Sequence, residues 1–189
     1  MEIIRYTRFF ENTDITETQK FKEWFYGSKV VNEKKEPLLV YHGTKNNFDS
    51  FDNSYMGSSR LGDEASKVGF FFSPQKEEAK QYGSIIISAY LKIKNPLRVD
   101  QYALDVYIND WLHDLENDDP EEYDFQMNTK QYQEYRGAGS MKGLALALTD
   151  AKNRSNDGVI YFAEDDMSPY INYIVFDKNQ IEVIKIDRG

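Results

Sequence analysis

Three short stretches carry the side chains best suited to chemistry. The first is Tyr41-His42-Gly43-Thr44, a histidine that follows an apolar run and precedes a glycine. A strand end holds an imidazole rigidly, and a glycine lets a ligand come close to the main chain. The N–H and C=O of such a glycine can make two hydrogen bonds to a planar carboxamide. A histidine at a strand end is also an ordinary structural hydrogen-bonder, and this motif alone does not separate the two roles. The second stretch is Gly69-Phe70-Phe71-Phe72-Ser73, followed by Ala79 and Tyr82. Strand alternation puts Phe71 on the face opposite Phe70 and Phe72, where it can wall a pocket. Tyr82 can present a flat ring to an aromatic ligand. The third runs from Tyr170 to Asp177 around Asn172, with Gln180-Ile181 after it. As a bare pattern it is a hydrophobic strand and a turn.

Composition removes several other chemistries. The 189-residue chain has no cysteine and only two histidines, His42 and His113, so zinc-thiolate, cysteine-nucleophile and multi-histidine metal sites are excluded and no metal is expected. The absence of cysteine suits a reducing cytosol. A formal net charge of −9 argues against a general phosphate-neutralising nucleic-acid binder. Nine acids and no Lys or Arg lie between Asp105 and Asp124, a run that equals the whole net charge. It reads as a solvated helix and loop, with a docking surface for a basic partner as the sharper alternative. The start, MEIIRYTRFFENTD, has no apolar signal region, and the run Ile85 to Ile93 is too short to span a bilayer. A cytoplasmic protein without membrane contact is expected.

The elements that must position these residues follow from spacing. Phe21, Trp24 and Phe25 predict a helix near 17–26, ending at Gly27. Val30-Val31 and Leu38 to Tyr41, separated by a polar turn, predict a hairpin. Residues 44–68, polar with Gly57 and Gly62, read as a long and therefore functional loop. Phe70 to Phe72 is a buried strand, and Ser73-Pro74 starts a helix that runs to Tyr82. A strand over Ile85–Ile93 is closed by Asn95-Pro96, and an acidic helix follows near 102–116. Gly137 and Gly139 mark a loop before an apolar helix, Leu144 to Ala151. Strands over Val159–Ala163, Tyr173–Phe176 and Ile181–Ile186 close the chain. The expected class is α+β, a single domain over 1–189 in which 105–124 is an acidic insertion.

In order and spacing the three stretches resemble the ADP-ribosyltransferase fold, in the His-Tyr-Glu branch of diphtheria toxin and the poly(ADP-ribose) polymerases. The resemblance is closest to the ADP-ribosyltransferase domains of phage and mobile-element polyvalent proteins. It is carried by "FKEWFYGSKVVNEKKEPLLVYHGT", "GFFFS", "YLKIKNPLRV", "DGVIYF" and "YIVFDKNQI", spread from about residue 21 to residue 182. The resemblance implies a split β-sandwich of two packed antiparallel sheets with peripheral helices. It also implies NAD as substrate and a macromolecular acceptor, a protein or a nucleic acid. His42 would hydrogen-bond the nicotinamide-side ribose, and Gly43 would hold the carboxamide through its backbone. Tyr82, eleven residues after Phe71, would stack on the nicotinamide; Thr44 and Ser73 complete the cofactor-binding set. Phe71 stands where the family usually has tyrosine, and Ala79 where it often has serine.

The largest departure is at the third motif, where Asn172 takes the place of the catalytic glutamate. Cleaving the ribose–nicotinamide bond develops oxocarbenium-like charge, as in glycoside hydrolysis. Asparagine can accept a hydroxyl hydrogen bond but has neither charge nor basicity. Losing one such electrostatic contact costs on the order of 10²–10³ in rate. The implied activity is therefore transfer of a single ADP-ribose, with His42, Phe71 and Asn172 as the catalytic set. A catalytically inactive NAD- or ADP-ribose-binding module and an acidic inhibitor of a basic partner are the alternatives. Glu164, Asp165 and Asp166 are the nearest acids in sequence that can substitute, and the loop 44–68, with Arg60 in its middle, is the candidate for NAD-phosphate or acceptor contacts.

Overall fold

A computed structural model describes residues 14–56, 65–128, 141–163 and 170–189. The expected Gly57, Arg60, Gly62, Gly137 and Gly139, and the acids Glu164, Asp165 and Asp166, lie outside them. Among the described residues seven strands form two sheets. The first, in the order β1-β3-β7, joins Val40–Thr44, Ile85–Leu91 and Ile181–Asp187, all antiparallel. The second, in the order β2-β6-β5-β4, joins Phe70–Phe72, Tyr170–Val175, Gly158–Ala163 and Pro96–Asp100.

The second sheet departs from the antiparallel expectation, because β4 and β5 run parallel. A parallel neighbour needs a long crossover. Here the connection contains α3 (Gln101–Asp118), α4 (Pro120–Asn128) and α5 (Met141–Asn153). The acidic stretch is thus helical through most of its length. Leu104, Ile108 and Leu112, four apart, face inward from α3, while eight of the nine acids of 105–124 are exposed.

Two cores follow from strand alternation. One lies between the sheets and takes Val40 from β1, Phe70 and Phe72 from β2, Ile87 and Leu91 from β3, and Tyr173 and Val175 from β6. The other lies between the second sheet and the helices. It takes Ile174 from β6, Val159 and Tyr161 from β5, and Leu144 and Leu148 from α5, with Phe71 packed against it. Each fully buried aromatic or branched side chain stabilises the fold by about 1.5–3 kcal/mol.

Three local expectations change. Val30-Val31 and Leu38–Tyr41 do not form a hairpin of strands: a single bridge joins Val31 to Pro37, and β1 pairs instead with the longer apolar β3. β3 ends at Leu91, ahead of Asn95-Pro96 as expected, but Pro96 also starts an unexpected strand, β4, an edge strand that tolerates proline in first position. The helix after Ser73 is shorter than expected, four residues of α2 (Lys76–Ala79) and then a 3-10 turn over Lys80–Tyr82. The helix near 17–26 forms as α1 (Gln19–Phe25), with Phe21 and Phe25 buried.

Gln180 shows how the turns are tied. Its Oε1 accepts from the N–H groups of Phe176 and Asp177, and its Nε2 donates to the carbonyls of Lys92 and Asp157 at 3.0 and 2.6 Å. One buried amide therefore satisfies main-chain groups from three segments, as burial of a polar side chain requires.

Candidate functional site

His42, Phe71 and Asn172 stand on β1, β2 and β6, three strands that are successive neighbours across the junction of the sheets. That junction is narrow. Tyr41 and Ser73 exchange both main-chain hydrogen bonds, at 2.7 and 2.9 Å, and form the single bridge between β1 and β2. Tyr41 turns its N–H and C=O away from β3 to do so. By alternation Gly43, two residues on, presents its own N–H and C=O along that same edge.

The end of α2 and the turn that follows it lie directly on this strand. An added Cβ at Gly43 would fall 1.7 Å from the Ala79 carbonyl oxygen, and one at Gly83 would fall 2.1 Å from Thr44 backbone atoms. The two glycines permit backbone-on-backbone contact that a side chain would forbid. This contact places Tyr82 beside the strand end, where its ring is 62% exposed. Thr44 is buried, and its hydroxyl accepts from the Asn46 N–H at 3.0 Å.

His42 is half-buried and points into the core between the sheets. Its Nδ1 lies 2.8 Å from the Phe71 carbonyl oxygen. A carbonyl can only accept, so Nδ1 donates, and the neutral ring keeps its lone pair on Nε2. Burial pushes the imidazole below its ordinary pKa, and the Phe71 hydrogen bond opposes that shift. The ring packs edge-on to Phe51, with centroids 5.2 Å apart, and tilts against Phe72 at 5.5 Å.

Phe48 and Phe51 are the residues that motif reading missed. They belong to the loop that reads as polar, yet Phe51 is only 7% exposed. The signal was two phenylalanines three residues apart in a largely polar run. The loop is fastened from outside: Asn53 Nδ2 donates to Asp177 at 2.8 Å, and the Lys178 N–H donates to Asn53 Oδ1 at 2.9 Å. Ser54 and Lys178 hold the Asp52 carboxyl down at about 2, and Arg188 reaches Asn47 and Asp49.

Phe71 joins His42 through its carbonyl and not through its ring. The ring lies on the helix-facing side of the second sheet, opposite Ile174 in the register, whereas His42 lies on the inter-sheet side. Asn172, two residues from Ile174, shares that helix-facing side and pairs with Tyr161 of β5. Burial, with Tyr170 beside it, pushes the Tyr161 phenol up to about 12. Among the described residues the Asn172 amide has no hydrogen-bond partner.

Ser73 is also on this side. It follows Phe72, which pairs with Tyr173, so Ser73 comes level with Asn172. Its hydroxyl accepts from the Gln75 N–H at 3.0 Å and donates to the Glu78 carboxylate. The structure thus sets Phe71, Ser73 and Asn172 on one face of the second sheet and the segment 79–83, with Tyr82, against Gly43 and Thr44, while His42 is hydrogen-bonded to Phe71 from the other side of β2.

Among the described residues no group of three His, Asp or Glu side chains is placed to hold a metal ion, and no helix is long and apolar enough to cross a membrane.

The family model for the ADP-ribosyltransferase in polyvalent proteins matches residues 32–189. No curated protein matches the chain. A solved structure described as the crystal structure of an anti-CRISPR protein is similar at 16% identity, over 77% of this chain and 94% of that one, with a TM-score of 0.38.

Proposed function

Because the chain belongs to the family of ADP-ribosyltransferases in polyvalent proteins, we propose that it transfers a single ADP-ribose from NAD to a macromolecular acceptor and releases nicotinamide. The observation that supports this most directly is the edge of β1 at Gly43, beside the Tyr41–Ser73 bridge and against the segment 79–83 that carries Tyr82. On this reading the split β-sandwich opens there to admit NAD. The Gly43 N–H donates to the carboxamide oxygen, and the Gly43 C=O accepts from the carboxamide nitrogen. Tyr82 covers the pyridinium face, where an aromatic ring favours a cation. Thr44 and Ser73 line the ends of the opening.

His42 acts through Nε2, which its Phe71 hydrogen bond leaves as an acceptor for a ribose hydroxyl. Asn172 accepts from a second ribose hydroxyl without adding charge. Chain elongation is not expected, because extending the polymer wants a base where Asn172 stands. The acceptor is a protein or a nucleic acid, reached from the cytoplasm of the host cell.

A second reading, an NAD-binding module without turnover, is favoured by the neutral amide at position 172. Transfer of labelled ADP-ribose into a bacterial lysate separates the two, with protease and nuclease digestion to identify the labelled class. Label that His42→Ala abolishes supports the transferase. NAD binding by calorimetry without label or nicotinamide release supports the binding module.

A further inference from the structure

We propose that Glu78 supplies the site carboxylate that position 172 lacks, touching the NAD ribose from α2 rather than from β6. The proposal rests on the transferase reading and deepens it. Its starting point is the placement of Ser73, which stands level with Asn172 and on the same face of the sheet. The Ser73 hydroxyl donates to Glu78 Oε2, so the carboxylate is tied to the strand end beside Asn172. The adjoining residue, Ala79, is the one whose carbonyl presses on Gly43. Tyr82 stands one turn further on. Glu78 therefore leaves the chain between the nicotinamide-holding edge and the ribose-facing amide.

Its surroundings suit the role. Glu78 is half-buried and, among the described residues, makes no ion pair, so its charge is not already neutralised by a cation. The neighbouring Glu77 contrasts with it: Glu77 is exposed and paired with Lys80 at 2.6 Å. Asp52, Asp177 and Asp187 are each occupied by turns, lysines or asparagine.

The chemistry balances with these groups alone. The C1′–N bond of NAD breaks and its electron pair leaves with neutral nicotinamide, while positive charge grows on the ribose beside the Glu78 carboxylate. The acceptor's lone pair then forms the new bond to C1′, and the proton it sheds passes to Glu78.

The test is steady-state nicotinamide release from NAD by the full chain, with water or lysate as acceptor. Glu78→Gln keeps an oxygen to accept from Ser73, so the fold is expected to survive. Its kcat should fall on the order of 10²–10³ with KM for NAD changed less than about threefold. Adding Asn172→Glu should restore at least tenfold of that loss, which a merely structural role for Glu78 would not allow. Glu77→Gln should match the wild type. Wild-type turnover retained in Glu78→Gln, or no rescue by Asn172→Glu, overturns the assignment and leaves the transferase reading standing. A wild type that binds NAD without releasing nicotinamide overturns both.

Discussion

Gly43→Ala separates the packing role of this glycine from its ligand role, and its cost follows from how closely Ala79 approaches the strand. The new methyl carbon would sit 1.7 Å from the Ala79 carbonyl oxygen and 2.6 Å from the Ala79 carbonyl carbon. Ordinary van der Waals contact begins at 3.4 Å, so the two backbones must part by about 1.7 Å. Neither yields easily. β1 is held along its other edge by β3, where Gly43 pairs with Ile86. The 79–83 segment is fixed a second time where Gly83 meets Thr44. Overpacking of this kind costs roughly 1–3 kcal/mol. In a chain of this size each kcal/mol lowers Tm by about 2–4 °C, so thermal unfolding should shift down by about 2–12 °C. The same displacement moves Tyr82 and the exposed edge of β1, and misplacement near 1 Å can cost about 10²-fold in turnover. Calorimetric unfolding and nicotinamide release on the same preparation measure both effects. A variant with wild-type Tm and wild-type kcat/KM would refute the packing of α2 on Gly43 and, with it, the placement of the site.

Three further outcomes follow from the same geometry. His42 has a depressed pKa, so its contribution to stability is fully present above about pH 6.5 and is lost as pH falls through the lowered value; urea unfolding between pH 5 and 7.5 should show a limb that His42→Gln lacks. Phe51→Ala should destabilise by about 3–5 kcal/mol, because the ring is buried against His42, Phe70 and Phe72, and NMR titration should show the His42 pKa rising toward its ordinary value as water enters. Tyr82→Ala should raise KM for NAD by roughly 2–10-fold, the worth of one aromatic contact, while Tyr82→Phe should leave it unchanged; equal KM values in all three proteins would remove Tyr82 from the site.

Much of the local structure was legible because it depends on spacing along the chain. Phe70, Phe71 and Phe72 alternate between the two cores as period 2 requires. Phe21 and Phe25 sit four apart on α1, and Leu104, Ile108 and Leu112 repeat every four residues on α3. The order of His42, Phe71, Tyr82 and Asn172 could be read as a resemblance, and the family match over residues 32–189 agrees with it. Strand partners were less legible, since pairing is a choice among segments. Leu38 to Tyr41 had a near neighbour in Val30-Val31, yet β1 joined β3, which offers a longer apolar surface. The parallel β4–β5 pair was hidden for a similar reason, since its partners lie on either side of a helical crossover.

Sequence alone determined which side chains are present: one histidine before a glycine, no cysteine, and an amide at position 172. It also determined which residues of each strand share a face, because that alternation is a property of the extended backbone. Tertiary structure decided what those side chains can do. Nothing in the spacing from 42 to 71 requires the His42 imidazole to donate to the Phe71 carbonyl, which sets its tautomer. Nothing in the spacing from 73 to 172 brings Ser73, and with it Glu78, level with Asn172. Those relations come from register and sheet order, which depend on how two distant segments bury their apolar faces together.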